Sequence, residues 1–156
     1  MRVLFVCTGN TCRSAMAEGI ARGMLAERGV SDVEVGSAGT AAWDGAPASD
    51  GALLVAMERE VDISGHRSRM LTPELTASYD LVLAMGPHHL ERAQAFGAGN
   101  RAFLLSDYAS RGVQSNAVND PFDGDLSVYR ETFDELDREV RRVIDRLAAE
   151  RTTGGA

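Results

Sequence analysis

The sequence has few cysteines and no long apolar run. Only two of its 156 residues are cysteine, at positions 7 and 12 of one short segment. Such a pair does not resemble the disulfide framework of a small secreted protein. No stretch approaches the roughly 20 consecutive apolar residues that a membrane-spanning helix needs, and the chain begins with a strand pattern instead of a signal peptide. We therefore expect a cytoplasmic protein without a membrane segment.

The chain also lacks internal boundaries and an excess of positive charge. Because no linker or repeat interrupts it, we expect one domain over residues 1–151 and a flexible tail over 152–156. The net charge of -7 argues against nucleic acid and anionic membranes as partners. The three histidines, at positions 66, 88 and 89, lack the spacing of a metal site, so no metal and no cofactor are expected. His88 and His89 are expected at the surface of a helix.

Apolar periodicity predicts strands that alternate with helices. The predicted strands cover residues 2–7, 33–37, 80–85 and 102–105; the predicted helices cover 14–28, 49–60, a short stretch after Pro73, 87–96 and a last helix. The last helix carries one apolar stripe, formed by Val128, Phe133, Leu136, Val140, Val143, Ile144 and Leu147. This alternation indicates an α/β fold with a parallel sheet, which binds ligands beyond the carboxyl ends of its strands.

The most informative segment joins the first strand to the first helix. The apolar residues 3–6 lead into Cys7, and Arg13 follows after five intervening residues. A loop at a helix N-terminus presents unpaired N–H groups and the positive end of the helix dipole, which favour a phosphate. Gly9 and Asn10 are expected to take positive φ and to turn the amides inward. The expected phosphate-binding residues are Thr8, Gly9, Asn10, Thr11, Cys12 and Arg13.

The same positive field acts on the first cysteine. An arginine and a helix N-terminus are expected to lower the pKa of Cys7 well below the free value of about 8.5, which makes a thiolate nucleophile at neutral pH. Alternatively, a cysteine that ends a buried strand is only a small apolar core residue. The joint pattern of Cys7, Gly9, Asn10, Arg13 and Ser14 favours the nucleophile.

The segment from Cys7 to Ser14 resembles the signature loop of the low-molecular-weight protein tyrosine phosphatases. Further matches follow in the family's order: Ser37 to Thr40 with Trp43, Ser64 to Arg69, Asp80 to Met85, and Asn119 to Phe122. The resemblance covers essentially the whole chain and implies a three-layer αβα sandwich with a central four-stranded parallel sheet, Rossmann-like. One departure is Ala15, where the family usually has a proline that only presets a first-turn dihedral angle.

The resemblance implies a two-step mechanism that needs no metal. Cys7 attacks phosphorus in line, Arg13 and the loop amides hold the phosphoryl oxygens, and Asp120 protonates the leaving atom. Water, activated by the same carboxylate, then hydrolyses the phosphocysteine and releases inorganic phosphate, while Ser14 hydrogen-bonds the sulfur. Without the resemblance, the pair Asp120 and Pro121 is typical of a common turn.

The resemblance also implies residues that support or protect the loop. In the family a hydrogen-bonded network keeps the loop strained and ready; the matching residues here are Asn10, Ser14, Ser37 and His66. The family's counterparts of Cys7 and Cys12 can form a reversible disulfide that protects the nucleophile from over-oxidation. Alternatively, Cys12 is only a packing residue.

Substrate choice is expected to depend on a few pocket residues. Tyrosine phosphatases of the family usually carry a larger aliphatic residue at the position of Thr11, whereas its bacterial protein-arginine phosphatases resemble this chain in the loop and around Asp120. The Thr11 hydroxyl and the Asp120 carboxylate suit a polar phosphoguanidinium. Phe122 is expected to form a wall of the pocket. Trp43, expected at its rim, can stack on a phosphotyrosine or on a guanidinium.

These features place phosphoarginine slightly ahead of phosphotyrosine, which remains the alternative. Asp123 stands where many tyrosine-specific members place a second aromatic residue. An arsenate reductase would need further cysteines after Cys12, and a cysteine phosphocarrier would need neither Arg13 nor Asp120. We therefore expect a monomeric protein phosphatase whose partners are phosphorylated proteins.

Overall fold

The computed structural model describes the backbone of residues 1–154 and the side chains of residues 1–151. In chain order its elements are β1 (Arg2–Cys7), α1 (Arg13–Glu27), β2 (Glu34–Gly39), α2 (Asp50–Glu58), α3 (Pro73–Ala77), β3 (Leu81–Ala84), α4 (Pro87–Ala95), a 3-10 turn (Gly99–Arg101), β4 (Ala102–Leu104), α5 (Leu105–Ala109) and α6 (Leu126–Gly154). All the predicted strands and helices are present. α6 continues into the predicted tail, of which residues 155–156 lie outside the described part.

The short helix α5 was not predicted. Leu105, which we assigned to the last strand, is instead the first residue of this helix and is fully buried. β4 passes into α5 without a glycine or proline between them, so no breaker marks the boundary. A helix of five residues is also too short to show a helical period in its sequence.

The four strands form one parallel sheet in the order β2-β1-β3-β4. β1 is central: its last residue, Cys7, pairs with Gly39 of β2, and Val6 pairs with Ala84 of β3. The parallel arrangement brings the carboxyl ends of β1, β2 and β3 to one edge of the sheet. The predicted fold class, a three-layer αβα arrangement with a four-stranded parallel sheet, is confirmed.

Alternate side chains of β1 enter two separate cores. Val3, Phe5 and Cys7 pack on the face that α1 and α6 cover, whereas Leu4 and Val6 pack on the opposite face. This alternation follows from the period of two in a strand. It decides that the Cys7 side chain points to the side on which α1 begins.

The apolar stripe predicted for the last helix forms its buried face. All its members are buried except Val128, which is half-buried. Full burial of such side chains stabilises the fold by about 1.5–3 kcal/mol each. The contact between α1 and α6 therefore anchors the helix that carries Arg13.

The described part of the chain contains neither a helix suited to cross a membrane nor a cluster of side chains suited to bind a metal ion. Within it, none of the helices combines the length and the apolarity that crossing a bilayer requires. Across the same residues, no three His, Cys, Asp or Glu side chains are grouped so that they could hold a metal ion.

Candidate active site

The loop between β1 and α1 lies at the carboxyl end of the sheet, against the end of β2. Residues 8–12 form it, and Ala41 N donates a hydrogen bond to Thr8 O at 3.0 Å. A Cβ atom at Gly39 would lie 2.3 Å from Thr8 O and 3.0 Å from Asn10 N. Since these are backbone atoms of the loop, only glycine allows the two segments to approach this closely.

The loop ends where α1 begins. Arg13 is the first residue of α1, and no side chain caps its first turn. N–H groups at such an end lack intrahelical partners and lie at the positive end of the dipole, which favours an anion. The turn of the loop depends on Asn10, with a φ of 57°. Gly9, predicted to share a positive φ, does not adopt one, so this part of the prediction is wrong.

The side chain of Asn10 holds the loop from inside and is fully buried. Its Nδ2 donates to Ser14 Oγ and to Ser37 Oγ, both at 2.8 Å. The backbone carbonyl oxygen of Asn10 accepts a hydrogen bond of 2.6 Å from His66 Nε2. These hydrogen bonds join the four residues of the predicted network, whose role in supporting the loop stays a prediction. A satisfied network in a site of low dielectric constant fixes one geometry of the loop.

Two residues that we did not predict extend this network. Arg69 N donates to Asn10 Oδ1 at 3.0 Å, and Arg69 Nε donates to Ser37 O at 2.8 Å. Ser37 Oγ in turn donates to Glu18 Oε1 at 2.6 Å. Glu18 stands four residues after Ser14 and hence on the same face of α1. That spacing is the sequence signal that could have identified it.

Cys7 ends β1 with a buried side chain, and its Sγ lies 2.8 Å from Ser14 Oγ. Asn10 Nδ2 already donates to this hydroxyl oxygen. The Ser14 hydroxyl proton is therefore free to point toward the sulfur, in the direction that stabilises a thiolate.

The prediction that the pKa of Cys7 is lowered is wrong. Burial raises the pKa of the Cys7 thiol above its ordinary value of 9.0. This effect outweighs the hydrogen bonds from Ser14, the charge of Arg13 and the hydrogen bond from Asn10, all of which lower the pKa. The sequence argument counted the positive field but not the loss of hydration. The loop donors thus oppose a burial that would otherwise keep the sulfur protonated.

A cavity of about 210 Å³ opens at this loop. It is lined by Cys7, Thr8, Gly9, Thr11, Cys12, Arg13, Asp120 and Phe122. The guanidinium of Arg13 is almost fully buried, and its Nη2 lies 3.5 Å from Oδ2 of the half-exposed Asp120. The structure thus brings a thiol, a cation and a carboxylate around a space that suits a phosphoryl group.

Asp120 and Phe122 reach the cavity on a segment that is distant in sequence from the loop. Val118 and Pro121 are the buried residues of this segment. Val118 N donates to Met85 O at 2.8 Å, and Val118 O accepts from Arg13 Nη1 at 3.3 Å. Phe122 N donates to Asp120 Oδ1 at 3.1 Å, which orients the carboxyl group. Phe122 lines the cavity although it is 65% exposed, so it forms an open wall.

Trp43 is not part of this cavity. It lies in the turn after β2 with 86% of its surface exposed, and it is absent from the residues that line the cavity. Its carbonyl oxygen accepts a hydrogen bond from Ser68 Oγ. The backbone of Trp43 is therefore anchored while its indole is exposed to solvent, and its place at the rim of the pocket stays a prediction.

Cys12 lines the same cavity as Cys7, and both are free thiols. Cys12 Sγ lies 3.2 Å from Ser49 Oγ and 3.5 Å from Tyr129 OH. These contacts give it a packing environment. A disulfide between the two cysteines stays a prediction.

His89 lies in the interior, which corrects the prediction that both neighbouring histidines are surface residues. His88 is exposed, but His89 is fully buried, with Nε2 2.8 Å from Thr8 Oγ1. Burial, assisted by the charges of His88 and Arg13 and opposed by that of Asp120, lowers the pKa of His89 to about 4. The ring is therefore neutral at neutral pH. α4 has only nine residues, too few for its period to reveal an inward face.

A larger cavity lies elsewhere and contains none of this chemistry. Its volume is about 460 Å³, and it is lined by Leu53, Leu54, Met57, Glu60, Val61, Asp62, Ile63 and Ser64. It has no cysteine, no arginine and no loop of unpaired amides. We therefore place the active site at the smaller cavity.

Comparison with known proteins identifies relatives that are phosphatases. A protein-arginine-phosphatase of Bacillus subtilis (strain 168) is 39% identical over 153 residues, which are 97% of this chain and 99% of the relative. The low molecular weight protein-tyrosine-phosphatase PtpB of Staphylococcus haemolyticus (strain JCSC1435) is 36% identical over 137 residues, 87% of this chain and 92% of the relative. A solved structure of the YwlE arginine phosphatase, a C7S mutant with a phosphorylated active site serine, matches with a TM-score of 0.90 at 36% identity and covers 97% of this chain and 99% of that chain.

The family model described as low molecular weight phosphotyrosine protein phosphatase matches residues 2–153. This match spans both Cys7 and Asp120, and it confirms the family that the loop sequence resembles. Members of this family are cysteine-dependent phosphatases that act on phosphorylated proteins. The chain belongs to the low molecular weight phosphotyrosine protein phosphatase family.

Proposed function

We propose that this chain is a protein-arginine phosphatase that hydrolyses phosphoarginine side chains through a phosphocysteine on Cys7. The observation that carries the substrate preference is Thr11, which lines the cavity. A hydroxyl at this position can hydrogen-bond to the polar guanidine of phosphoarginine. The ring of phosphotyrosine would gain more from contact with an aliphatic side chain. The names of the Bacillus subtilis and Geobacillus stearothermophilus relatives, both protein-arginine-phosphatases, support the same preference.

In the first step Cys7 Sγ attacks phosphorus. The S–P bond forms as the P–N bond breaks, and Asp120 gives its proton to the departing guanidine nitrogen. Arg13, close to the cavity and to Asp120, balances the charge on the phosphoryl oxygens together with the loop amides. The related YwlE structure, in which a C7S mutant carries a phosphorylated active site serine, supports Cys7 as the attacking residue.

In the second step water replaces the sulfur. The Asp120 carboxylate takes a proton from water, the water oxygen bonds to phosphorus, and the S–P bond breaks to release inorganic phosphate and the Cys7 thiolate. Ser14 Oγ, 2.8 Å from the sulfur, donates to this leaving group. Because burial raises the pKa of Cys7, the donors around the sulfur are needed for the charged form in both steps.

The polar parts of the cavity suit a guanidinium as leaving group. Once Asp120 has given up its proton, its half-exposed carboxylate can accept N–H bonds from the departing planar guanidinium. Thr11 adds an oxygen acceptor on the wall of the cavity, and the open face of Phe122 offers a ring for a cation. Phosphotyrosine, which the names of other relatives indicate, is the alternative, with Phe122 as its apolar contact.

The test compares two peptides of matched sequence, one with phosphoarginine and one with phosphotyrosine. We expect kcat/KM to be higher for the phosphoarginine peptide and turnover of both to vanish in Cys7→Ala. A higher kcat/KM for phosphotyrosine would contradict the arginine preference. Turnover that persists in Cys7→Ala would contradict the phosphocysteine mechanism itself.

We also propose that the chain works as a monomer in a reducing cytoplasm. Both cysteines are free thiols, and a buried sulfur nucleophile is active only when reduced. Under peroxide, Cys7 would become a sulfenic acid, which loses water to form a disulfide with Cys12. The test of the disulfide is the phosphatase activity that a thiol reductant restores after peroxide treatment. We expect the wild type to recover activity and Cys12→Ser to lose that recovery, whereas equal recovery in both proteins would contradict the disulfide.

A further inference from the structure

His89 contacts the phosphate loop but has no assigned part in the reaction. It lies in the first turn of α4, which begins at Pro87, and is fully buried. Its Nε2 is 2.8 Å from Thr8 Oγ1. Thr8 follows Cys7 directly and lines the same cavity as Arg13. A buried polar ring thus reaches the active site through a single hydroxyl group.

The unpartnered nitrogen of the ring determines the direction of this hydrogen bond. Nδ1 of His89 is buried without a partner among the described residues. Burial lowers the pKa of His89 to about 4, so at neutral pH the ring carries one N–H. Because a buried unpaired N–H is rarer than a buried unpaired acceptor, the proton belongs on Nε2. His89 therefore donates to Thr8 Oγ1.

A hydroxyl that accepts this bond keeps its own proton for another partner. The cavity beside Thr8 also holds Cys7 and Arg13, so it is the place where phosphoryl oxygens would lie. These oxygens accept hydrogen bonds and donate none when ionised. A threonine proton turned toward them is the favourable arrangement, and a lone pair turned toward them is not.

We propose that His89 is a positioning residue, which directs the Thr8 hydroxyl proton into the cavity so that it donates to the bound phosphoryl group. This inference rests on the proposed phosphocysteine chemistry at Cys7. It adds Thr8 Oγ1 to the donors of the loop, besides the backbone amides and Arg13.

The test uses competitive inhibition by inorganic phosphate, together with kcat and KM for the preferred phosphopeptide. Thr8→Val removes the hydroxyl at nearly constant shape. His89→Met removes the ring donor, whereas His89→Gln places an N–H near the position of Nε2. Gln94→Met is the matched control, because Gln94 is exposed on the same helix. Melting temperatures are measured for every variant.

We expect Thr8→Val and His89→Met each to weaken phosphate inhibition and kcat/KM by about ten-fold, the loss of one hydrogen bond to a charged group. In the Thr8→Val background, His89→Met should cost nothing further. His89→Gln should regain most of the loss, and Gln94→Met should match the wild type. A purely structural role would instead lower the melting temperature and give losses that multiply in the double variant.

Several results would overturn the inference. The inference is wrong if Thr8→Val leaves phosphate inhibition unchanged, and this result can be obtained even if His89→Met fails to fold. Losses that multiply in the double variant overturn it as well. A Thr8→Val protein that keeps its phosphate inhibition but loses its preference for phosphoarginine would mean that Thr8 presents an acceptor to the substrate. Failure of the proposed function is separate, since it is seen as turnover in Cys7→Ala, while phosphate binding to each variant can be followed by calorimetry.

Discussion

The loop that carries Cys7 and the segment that carries Asp120 meet at one cavity but are held in different ways. In the loop, Asn10 and Arg13 are buried, and the side-chain network of Asn10 fixes the turn. In the other segment residues 111–117 are exposed, and the buried Val118 connects the segment to Met85, the residue that follows β3. The phosphate-binding residues thus lie on one short segment whose turn is fixed by a buried hydrogen-bond network, whereas the acid lies on a largely exposed segment.

A second contact holds the acid segment, from α6. The backbone of Asn119, next to Asp120, lies close enough to the carboxyl group of Glu135 to lower the pKa of that group. Burial, followed by the nearby charge of Glu139, raises the pKa of Glu135, while the backbone of Asn119 opposes the shift. The acid side of the site is therefore positioned by two other elements, β3 and α6, and substitutions there should change the chemistry more than the fold.

The largest expected effect is the loss of the nucleophile. Cys7→Ala should abolish turnover, because no other thiol or hydroxyl of the cavity has the Ser14 and Arg13 donors around it. Binding of inorganic phosphate should persist, since the loop amides and Arg13 remain. Turnover is followed by phosphate release and binding by calorimetry. Loss of both together would mean that the loop had collapsed.

Removing the acid should slow the reaction without affecting stability. Asp120→Asn should reduce kcat by about 10²–10⁴-fold, the usual contribution of a general acid. The loss should shrink for substrates whose leaving group needs no proton, which a series of aryl phosphates measures. Asp123→Asn is the matched control, because Asp123 is exposed and its φ of 63° is one that asparagine tolerates. An equal loss in both variants would count against Asp120 as the acid.

Removing the support of the loop should affect activity and stability together. Asn10→Ala loses the hydrogen bonds to Ser14 and Ser37 and places alanine at a φ of 57°, which costs about 1–2 kcal/mol by itself. We expect kcat/KM to fall by about 10–100-fold and the melting temperature to drop. Asn119→Ala, on the exposed acid segment, should leave the melting temperature unchanged. A lower melting temperature in Asn119→Ala, together with an unchanged one in Asn10→Ala, would contradict this contrast between the two regions.

The smallest expected effect is a dependence of stability on pH. Burial lowers the pKa of His89 from 6.5 to about 4, so the unfolded chain binds the proton more tightly than the folded one. The stability that the neutral ring contributes is present above pH 6.5 and is lost as the pH falls toward 4. Between pH 7 and pH 5 the loss attributable to His89 should be about 2 kcal/mol.

Urea unfolding of the wild type and of His89→Gln at the two pH values measures this difference. The variant should lose less stability on acidification than the wild type, because glutamine does not titrate. Identical losses in the two proteins would mean that His89 is not the titrating group.

The same contrast explains what the sequence could predict. The strand, loop and helix around Cys7 are encoded within about a dozen consecutive residues, so local pattern and family resemblance identified them together. The contact between His89 and Thr8 joins residues 81 positions apart, and no periodicity in a short helix reports it. Arg69 likewise reaches Asn10 through a fold-dependent contact.

The wrong predictions have physical causes of the same kind. The pKa of Cys7 depends on burial that only the packing of α1 and α6 on β1 creates. The indole of Trp43, for which the rim position stays a prediction, is exposed and does not line the cavity. Its position depends on a turn anchored by Ser68 and Asp44, in which the Asp44 carboxylate accepts a bond from Met70 N.

The most direct test of the substrate assignment is the ratio of kcat/KM for matched phosphoarginine and phosphotyrosine peptides, measured for the wild type and for Thr11→Ile. Isoleucine removes one hydroxyl from the wall of the cavity and adds apolar surface, while Cys7, Arg13 and Asp120 are unchanged. We predict that the wild type favours phosphoarginine and that Thr11→Ile reverses the preference. A ratio that favours phosphotyrosine in the wild type, or one that Thr11→Ile leaves unchanged, would contradict the account.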